Sequence, residues 1–264
     1  MAEENEYQKH RHTRYVVEAA GGNATVIRVL DTGLTIHIYA KDGRAMMSDT
    51  EDLGVEQAGF LVLKDLFFAM SGGEFCGNAA RAAAMLLSRI TGRDEVTFRM
   101  TGVSGPVQGL VEWISKSEAN VTCTFEGLNP KIFVAKPKDM DLEATVVDLG
   151  GIVHILLKGE MPADKPAYEQ FHKQIREALS LDKRDAVGVC WINEKNGAMH
   201  MDPVVWVRSI DTCFYEGACG SGSIATALAS DNQRITQPTG KVITVRQEGN
   251  LIVISSHMEI IDER

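Results

Sequence analysis

Short apolar or alternating runs, separated by Gly and Asp, set the pattern of this chain. ATVIRVL at 24–30, TIHIYA at 35–40, FLVL at 60–63 and VQGLVEWI at 107–114 read as strands joined by turns. The same texture returns in ATVVDLG, HILLKG, AVGVCWIN, VVWVRSI, KVITVRQ and LIVISSH. A helical period replaces it in three places. NAARAAAMLLSRI, 78–90, joins strong helix formers to an apolar face and stops beside Gly92. AYEQFHKQIREALSL, 167–181, is amphipathic and should lie on a sheet, with His172 on its solvated face. SGSIATALAS, 221–230, is short and built of small residues.

Two stretches resemble each other. SGGEFCGNAARAAAMLL begins at Ser71 and YEGACGSGSIATALA at Tyr215; each runs from a glycine-containing approach through Cys-Gly into a helix of small residues. Such an internal repeat predicts two similar halves. The boundary falls near KIFVAKPKDMD, 131–141, which is charged and carries Pro137 between strand-like segments. The expected organisation is a first domain over 1–131, to which 256–264 returns, and a second over 132–255.

Composition narrows the function classes. The chain has 264 residues, 44% of them apolar, and a net charge of -9, which favours solubility and argues against a phosphate-rich nucleic-acid partner. No run approaches the roughly 20 apolar residues that cross a bilayer. The opening MAEENEYQKHRHTRYVV lacks the apolar core of a secretory signal, so a cytoplasmic protein is expected. His10 and His12 read as surface rather than as metal ligands. The five cysteines, at 76, 123, 190, 213 and 219, show no metal-type spacing, and their odd number in a cytosolic chain argues for free thiols.

Cys76 and Cys219 stand apart from the other three because each opens a helix. A thiol there faces unpaired backbone N–H groups and the positive end of the peptide dipoles, which lowers its pKa from the ordinary ~8.5. The glycines that follow let a ligand approach the backbone, where the N–H groups of Gly77, Asn78, Gly220 and Ser221 can hold a carboxylate. Cys123, Cys190 and Cys213 lack these features and read as packing. Two acid/base groups facing across a cleft suit inversion at a carbon: one takes a proton while the other delivers one from the opposite side.

The motifs GGN at 21–23, EQAGF at 56–60, EFCGNAA at 74–80, EGACGSGS at 216–223 and QPTGK at 237–241 together resemble the diaminopimelate epimerase superfamily, over most of the chain. The resemblance implies an α/β fold of two pseudo-symmetric domains, each wrapping sheet around a central helix. It also implies a catalytic pair, Cys76 and Cys219, working without pyridoxal phosphate or any other cofactor, and without a metal. Asn23, Gln57 and Asn78 match residues that shape the family's site. A homodimer is compatible with the resemblance.

The substrate side departs from diaminopimelate. Ile210 and Asp211 stand where the epimerases place a Glu-Arg pair for the distal head, LFFAM at 66–70 and Gly188 replace expected Asn positions, and LGGIVH at 149–154 lacks the family's GNPH form, with His154 reading as a buried scaffold residue. SGGEFCGNA and EGACGSG instead resemble the superfamily's histidine racemase branch, that of the staphylopine pathway. On that resemblance an imidazole would sit beside Phe67, Phe68 or Phe75 and bond to Asp211, Glu216 or Glu74. Diaminopimelate, lysine, arginine, the cofactor-free isomerases related to phenazine biosynthesis, and simple amino-acid binding without catalysis stay open as alternatives.

Overall fold

The computed structural model describes His10 and residues 12–264; most of the leader reading and part of the KHRHTR segment therefore lie outside the described residues. Sixteen strands and four helices appear among them. The first seven strands are β1 (Arg14–Ala19), β2 (Ala24–Leu30), β3 (Val55–Val62), β4 (Phe67–Met70), β5 (Glu95–Met100), β6 (Val107–Trp113) and β7 (Glu118–Phe125). Then come β8 (Lys131–Ala135), β9 (Ala144–Asp148), β10 (Val153–Lys158), β11 (Ala186–Lys195), β12 (Ala198–Val207), β13 (Thr212–Tyr215), β14 (Arg234–Thr236), β15 (Val242–Glu248) and β16 (Leu251–Glu263). The helices are α1 (Ile36–Asp49), α2 (Gly77–Thr91), α3 (Lys165–Ala178) and α4 (Gly220–Ser230).

All strands belong to one mixed sheet. Strands β1 to β7 follow in order, β16 pairs β7, and β16 also pairs β1, so eight strands close on themselves. The sheet then continues from β16 through β15, β14, β12, β11, β10 and β9 to the edge strand β8. The end of β16 pairs antiparallel with β1, from Glu259 opposite Glu18 to Glu263 opposite Tyr15. The antiparallel hairpins need only short turns, whereas each parallel pair needs a crossover. Helix α1 crosses between β2 and β3, α2 between β4 and β5, and α3 between β10 and β11. Helix α4 lies on the way from β12 to its parallel partner β14.

Helix α2 threads the closed ring and touches all eight of its strands. Its run of alanines makes that possible, since a helix enclosed on every side must be apolar and narrow all round; Ala79 through Leu87 are buried without interruption. Gly92 at φ +68° ends it, as the sequence pattern predicts. Helix α4, smaller still, packs against β9, β10, β11, β14, β15 and β16. No helix among the described residues is long and apolar enough to cross a membrane.

Two local readings are corrected. TIHIYA forms no strand; it opens α1, whose buried side is Tyr39, Gly43 and Met46. The spacing of four and three is a helical face, and it outweighs the shorter alternation of Ile36 and Ile38, both of which are half exposed. His172 is not on a solvated face: it is buried in α3, and its Nε2 lies 3.0 Å from the Val187 carbonyl oxygen. Burial pulls its pKa down to about 4, so it serves there as a neutral donor to the sheet.

Candidate active site

The repeated Cys-Gly motif folds the same way twice. Cys76 caps α2 with φ -133° and ψ 114°, and Cys219 caps α4 with φ -133° and ψ 109°. In each case the sulfur occupies the cap acceptor position: Cys76 Sγ accepts from the Ala79 N–H at 3.4 Å and Cys219 Sγ from the Gly222 N–H at 3.3 Å. The two helix starts abut. A Cβ on Gly220 would lie 2.9 Å from the Gly77 carbonyl carbon and from the Asn78 nitrogen. Glycine is required at this contact by the approach of backbone to backbone. Asn78 Nδ2 donates to the Ala218 carbonyl at 2.8 Å, tying the start of α2 to the residue before Cys219.

Both thiols line one cavity together with Gln57, Glu74, Phe75, Asn78, Ile152, Val205, Val207, Glu216, Gly220 and Ser221. These walls leave about 10 Å³, room for about one water. An amino acid therefore enters only when the walls part. Gly77 stands behind this lining, against Gly220. Asn23 also sits behind it: Nδ2 donates to Glu56 Oε2 at 3.0 Å. Asp211, expected at the substrate, is elsewhere. It is exposed in the β12–β13 turn at φ +50°, and its Oδ1 accepts from Trp206 Nε1 at 3.2 Å. The hairpin turn that places Asp211 follows β12 away from the cavity. Among the three candidate aromatics, only Phe75 lines it; the Phe68 ring fills the space over Gly59 instead.

A hydrogen-bonded chain connects the thiols. Cys76 Sγ donates to Gln57 Oε1 at 2.9 Å, Gln57 Nε2 donates to Glu216 Oε1 at 2.9 Å, and the Glu216 carboxyl interacts in turn with the Cys219 thiol. In this enclosed state the thiols are not acidified as the helix ends alone predict. Burial, joined by the Glu216 charge, pushes Cys76 up to about 12 despite the opposing Ala79 N–H, and the same two causes raise Cys219 well above its ordinary value. The helix-end effect is present, but loss of water outweighs it. Burial also raises the carboxyl pKa of Glu216, joined by the Glu74 charge, and that of Glu56, joined by the Glu216 charge, against hydrogen bonds that pull each of them down.

Several supporting groups come from distant segments that the motifs alone do not announce. Gln237, from the QPTGK motif, accepts from the Cys219 backbone N–H at 2.8 Å and donates to Ser223 Oγ at 3.0 Å. Thr239 Oγ1 donates to the Ala20 carbonyl at 2.8 Å, which locks that motif to the GGN turn. His154 is buried, as expected of a scaffold residue, with Nε2 at 2.9 Å from Ser221 Oγ; burial lowers its pKa to about 3, leaving it neutral. Any Cβ at Gly188 would strike the His154 ring, which explains why no asparagine stands there.

Glu74 is the cavity's unsatisfied group. It is buried, and its Oε2 has no hydrogen-bond partner among the described residues. Burial lifts its pKa from 4.5 to about 7. A carboxyl whose folded pKa is raised keeps its proton in the folded chain after the unfolded chain has lost it. Its stabilising share is therefore full below pH 4.5 and gone above about 7. The melting temperature should fall as pH rises through that window, with Glu74→Gln flattening the fall; an identical pH slope in the variant would show that Glu74 takes no part.

Solved structures share this architecture. A predicted epimerase of Pseudomonas aeruginosa superposes with a TM-score of 0.62 at 11% identity, covering 96% of this chain and 98% of that one. A PhzF-family phenazine biosynthesis protein of Enterococcus faecalis gives 0.56 at 16% identity, covering 95% and 97%. Among curated proteins, a histidine racemase of Fusobacterium nucleatum is 28% identical over 92% of this chain and 91% of its own length. A histidine racemase of Staphylococcus aureus is 24% identical over 83% and 80%. Fold, motifs and relatives together define an amino-acid racemase or epimerase of the PhzF and diaminopimelate epimerase superfamily, a class that works without pyridoxal phosphate. Within it, the family described as the histidine racemase CntK N-terminal domain matches residues 13–261, and the chain belongs to that family.

Proposed function

We propose that this enzyme interconverts L- and D-histidine by two-thiol acid/base catalysis between two pseudo-symmetric halves, 1–131 with 256–264 and 132–255. The observation that carries the reading is the pair of cysteine-capped helix starts, alike in backbone and opening into one cavity. The first-turn N–H groups of Gly77, Asn78, Gly220 and Ser221 would hold the substrate carboxylate, where negative charge builds as the α-proton leaves. One cysteine, as thiolate, removes that proton; the other, as thiol, protonates the opposite face. Each turnover exchanges their roles. The Cys76–Gln57–Glu216–Cys219 chain supports the resetting step, since Glu216 is placed to hold the proton one thiol gives up.

Histidine is favoured over its relatives by the group left unsatisfied. Glu74, whose Oε2 has no partner among the described residues, and Phe75 both line the cavity, and they offer an acceptor and an apolar wall to an imidazole N–H and its ring. A second carboxylate, such as diaminopimelate carries, would meet two carboxyl groups, Glu74 and Glu216, and no cation among the residues that line the cavity. The similarity to the histidine racemases of Fusobacterium nucleatum and Staphylococcus aureus supports this choice.

The test is exchange of the α-hydrogen for solvent deuterium with histidine, lysine, arginine and diaminopimelate, followed by chiral separation. Histidine should exchange and racemise with a kcat/KM at least about tenfold above the others. Activity confined to diaminopimelate would overturn the histidine assignment, and tight binding without exchange in any substrate would overturn catalysis.

A further inference from the structure

Cys219 has a neighbour that Cys76 lacks. Ser221 Oγ lies 3.7 Å from Cys219 Sγ, within reach of a hydrogen bond to sulfur, and 2.9 Å from His154 Nε2. On the far side of the imidazole, Nδ1 lies 3.5 Å from Cys190 Sγ. The result is a line of four buried side chains, Cys219, Ser221, His154 and Cys190. Ser221 stands two places after Cys219, as Asn78 stands two places after Cys76, but the two side chains face different partners. Asn78 Nδ2 donates to the Ala218 carbonyl, and Asn78 Oδ1 accepts from Arg81 Nη2 at 2.7 Å. Cys76 Sγ meets Gln57 Oε1, which only accepts, and no side-chain donor is bonded to that sulfur among the described residues.

The chemistry of the four groups fixes the sense of the line once Cys219 is ionised. A thiolate accepts hydrogen bonds and donates none, so the Ser221 hydroxyl must donate to it. Ser221 Oγ is then the acceptor for a proton on His154 Nε2. Burial lowers the His154 pKa to about 3, so the imidazole is neutral; its single N–H stands on Nε2 and Nδ1 accepts. Burial also keeps Cys190 a thiol, whose S–H supplies that remaining link. Every member of the line thus has a partner in the thiolate state. The titratable groups that act on Cys219 are Glu216 and Cys190, and both oppose a thiolate when charged. Glu74 and Cys76, which share the cavity, bring no positive charge. The donors at the sulfur are the Gly222 N–H at 3.3 Å and the Ser221 hydroxyl. Strands β10 and β11, which carry His154 and Cys190, are neighbours that both pack on α4, so the line stays with Cys219 when the cavity walls part.

We propose that the Ser221 hydroxyl is the hydrogen-bond donor that stabilises the thiolate of Cys219 and not that of Cys76, and that His154 is the positioning residue that holds the hydroxyl in that sense. The two thiols are therefore unequal, although their backbones match. The inference rests on the two-thiol reading above.

The rate of alkylation by iodoacetamide against pH, measured without substrate and resolved by peptide mass spectrometry, follows each cysteine separately. Ser221→Ala removes the hydroxyl and keeps the N–H. It should move the Cys219 profile up by about one unit, which slows alkylation there about tenfold at neutral pH, and should change Cys76 by less than about threefold. His154→Leu should raise the Cys219 profile too, yet add nothing in the Ser221→Ala background, because it acts through Ser221. His154→Gln keeps a nitrogen donor near the Nε2 position and should recover most of that shift. Histidine exchange in Ser221→Ala should show kcat down about tenfold at neutral pH with KM within about threefold. A folded Ser221→Ala with the parent Cys219 profile overturns the proposal, as does an equal shift of both cysteines. Shifts in Ser221→Ala and His154→Leu that add in full overturn the part given to His154. If His154→Leu fails to fold, Cys190→Ala decides: a smaller rise at Cys219 that vanishes in the Ser221→Ala background supports the role, and an unmoved profile refutes it. The profiles are read without turnover, so ordinary activity in Cys76→Ser and Cys219→Ser would sink the two-thiol reading alone.

Discussion

Serine at either position 76 or 219 should abolish racemisation, with losses of about 10³-fold or more in each variant. A hydroxyl of about the same shape is far less acidic than a thiol and is a poor base at neutral pH. Stability should not fall with activity. Each sulfur accepts a single first-turn N–H, and serine is among the preferred residues at a helix cap, so Cys76→Ser and Cys219→Ser should melt at or above the parent temperature. The geometry adds a finer expectation. With one thiol gone, the other still faces one side of the α-carbon. Each variant should therefore retain slow solvent exchange without inversion in one enantiomer, and the two variants should favour opposite enantiomers. Chiral analysis in deuterated water checks this, and ordinary turnover in both variants would refute the mechanism.

How far the sequence carries this site depends on whether the determinant is local. The cysteine caps were legible because a cap is written within four residues: Cys-Gly followed by small helix formers, twice. Helix α2 was legible for the same reason, and its alanine run even foretells enclosure by the ring of strands. The thiol pKa was not. The sequence shows the helix end that lowers it, whereas burial and the Glu216 charge, which prevail, depend on β3, β12 and the loop before α4 meeting around the sulfurs. Gln237 and Glu56 were hidden in the same way, since each acts on partners contributed by other elements. Asp211 shows the reverse error. Its position ahead of Cys219 aligns it with a family contact, yet a left-handed residue in a hairpin turn sends it to the surface. Nearness in sequence to a motif does not place a side chain in the cavity.

Gly220→Ala should be nearly as damaging as loss of a thiol, for a purely steric reason. Its added Cβ would stand 2.9 Å from the Asn78 nitrogen, the Asn78 Oδ1 and the Gly77 carbonyl carbon. Two of these are backbone atoms fixed by α2, which is itself held by eight strands, so no side chain can swing aside. The helix starts must separate by a large fraction of an ångström. Overpacking of this kind costs about 1–3 kcal/mol, and the melting temperature should drop accordingly. The effect on turnover should exceed that on stability, because both thiols and both sets of N–H groups proposed to hold the carboxylate are carried by the two helices being forced apart. Misplacement of about 1 Å costs about 10²-fold in a reaction that depends on alignment. Gly77→Ala should follow it with a smaller loss, since its nearest contacts would be 3.0 and 3.2 Å. Exchange kinetics on the folded fraction, beside thermal melts, separate the two effects. A Gly220→Ala enzyme with the parent kcat would mean that the close junction of α2 and α4 does not set the distance between the thiols.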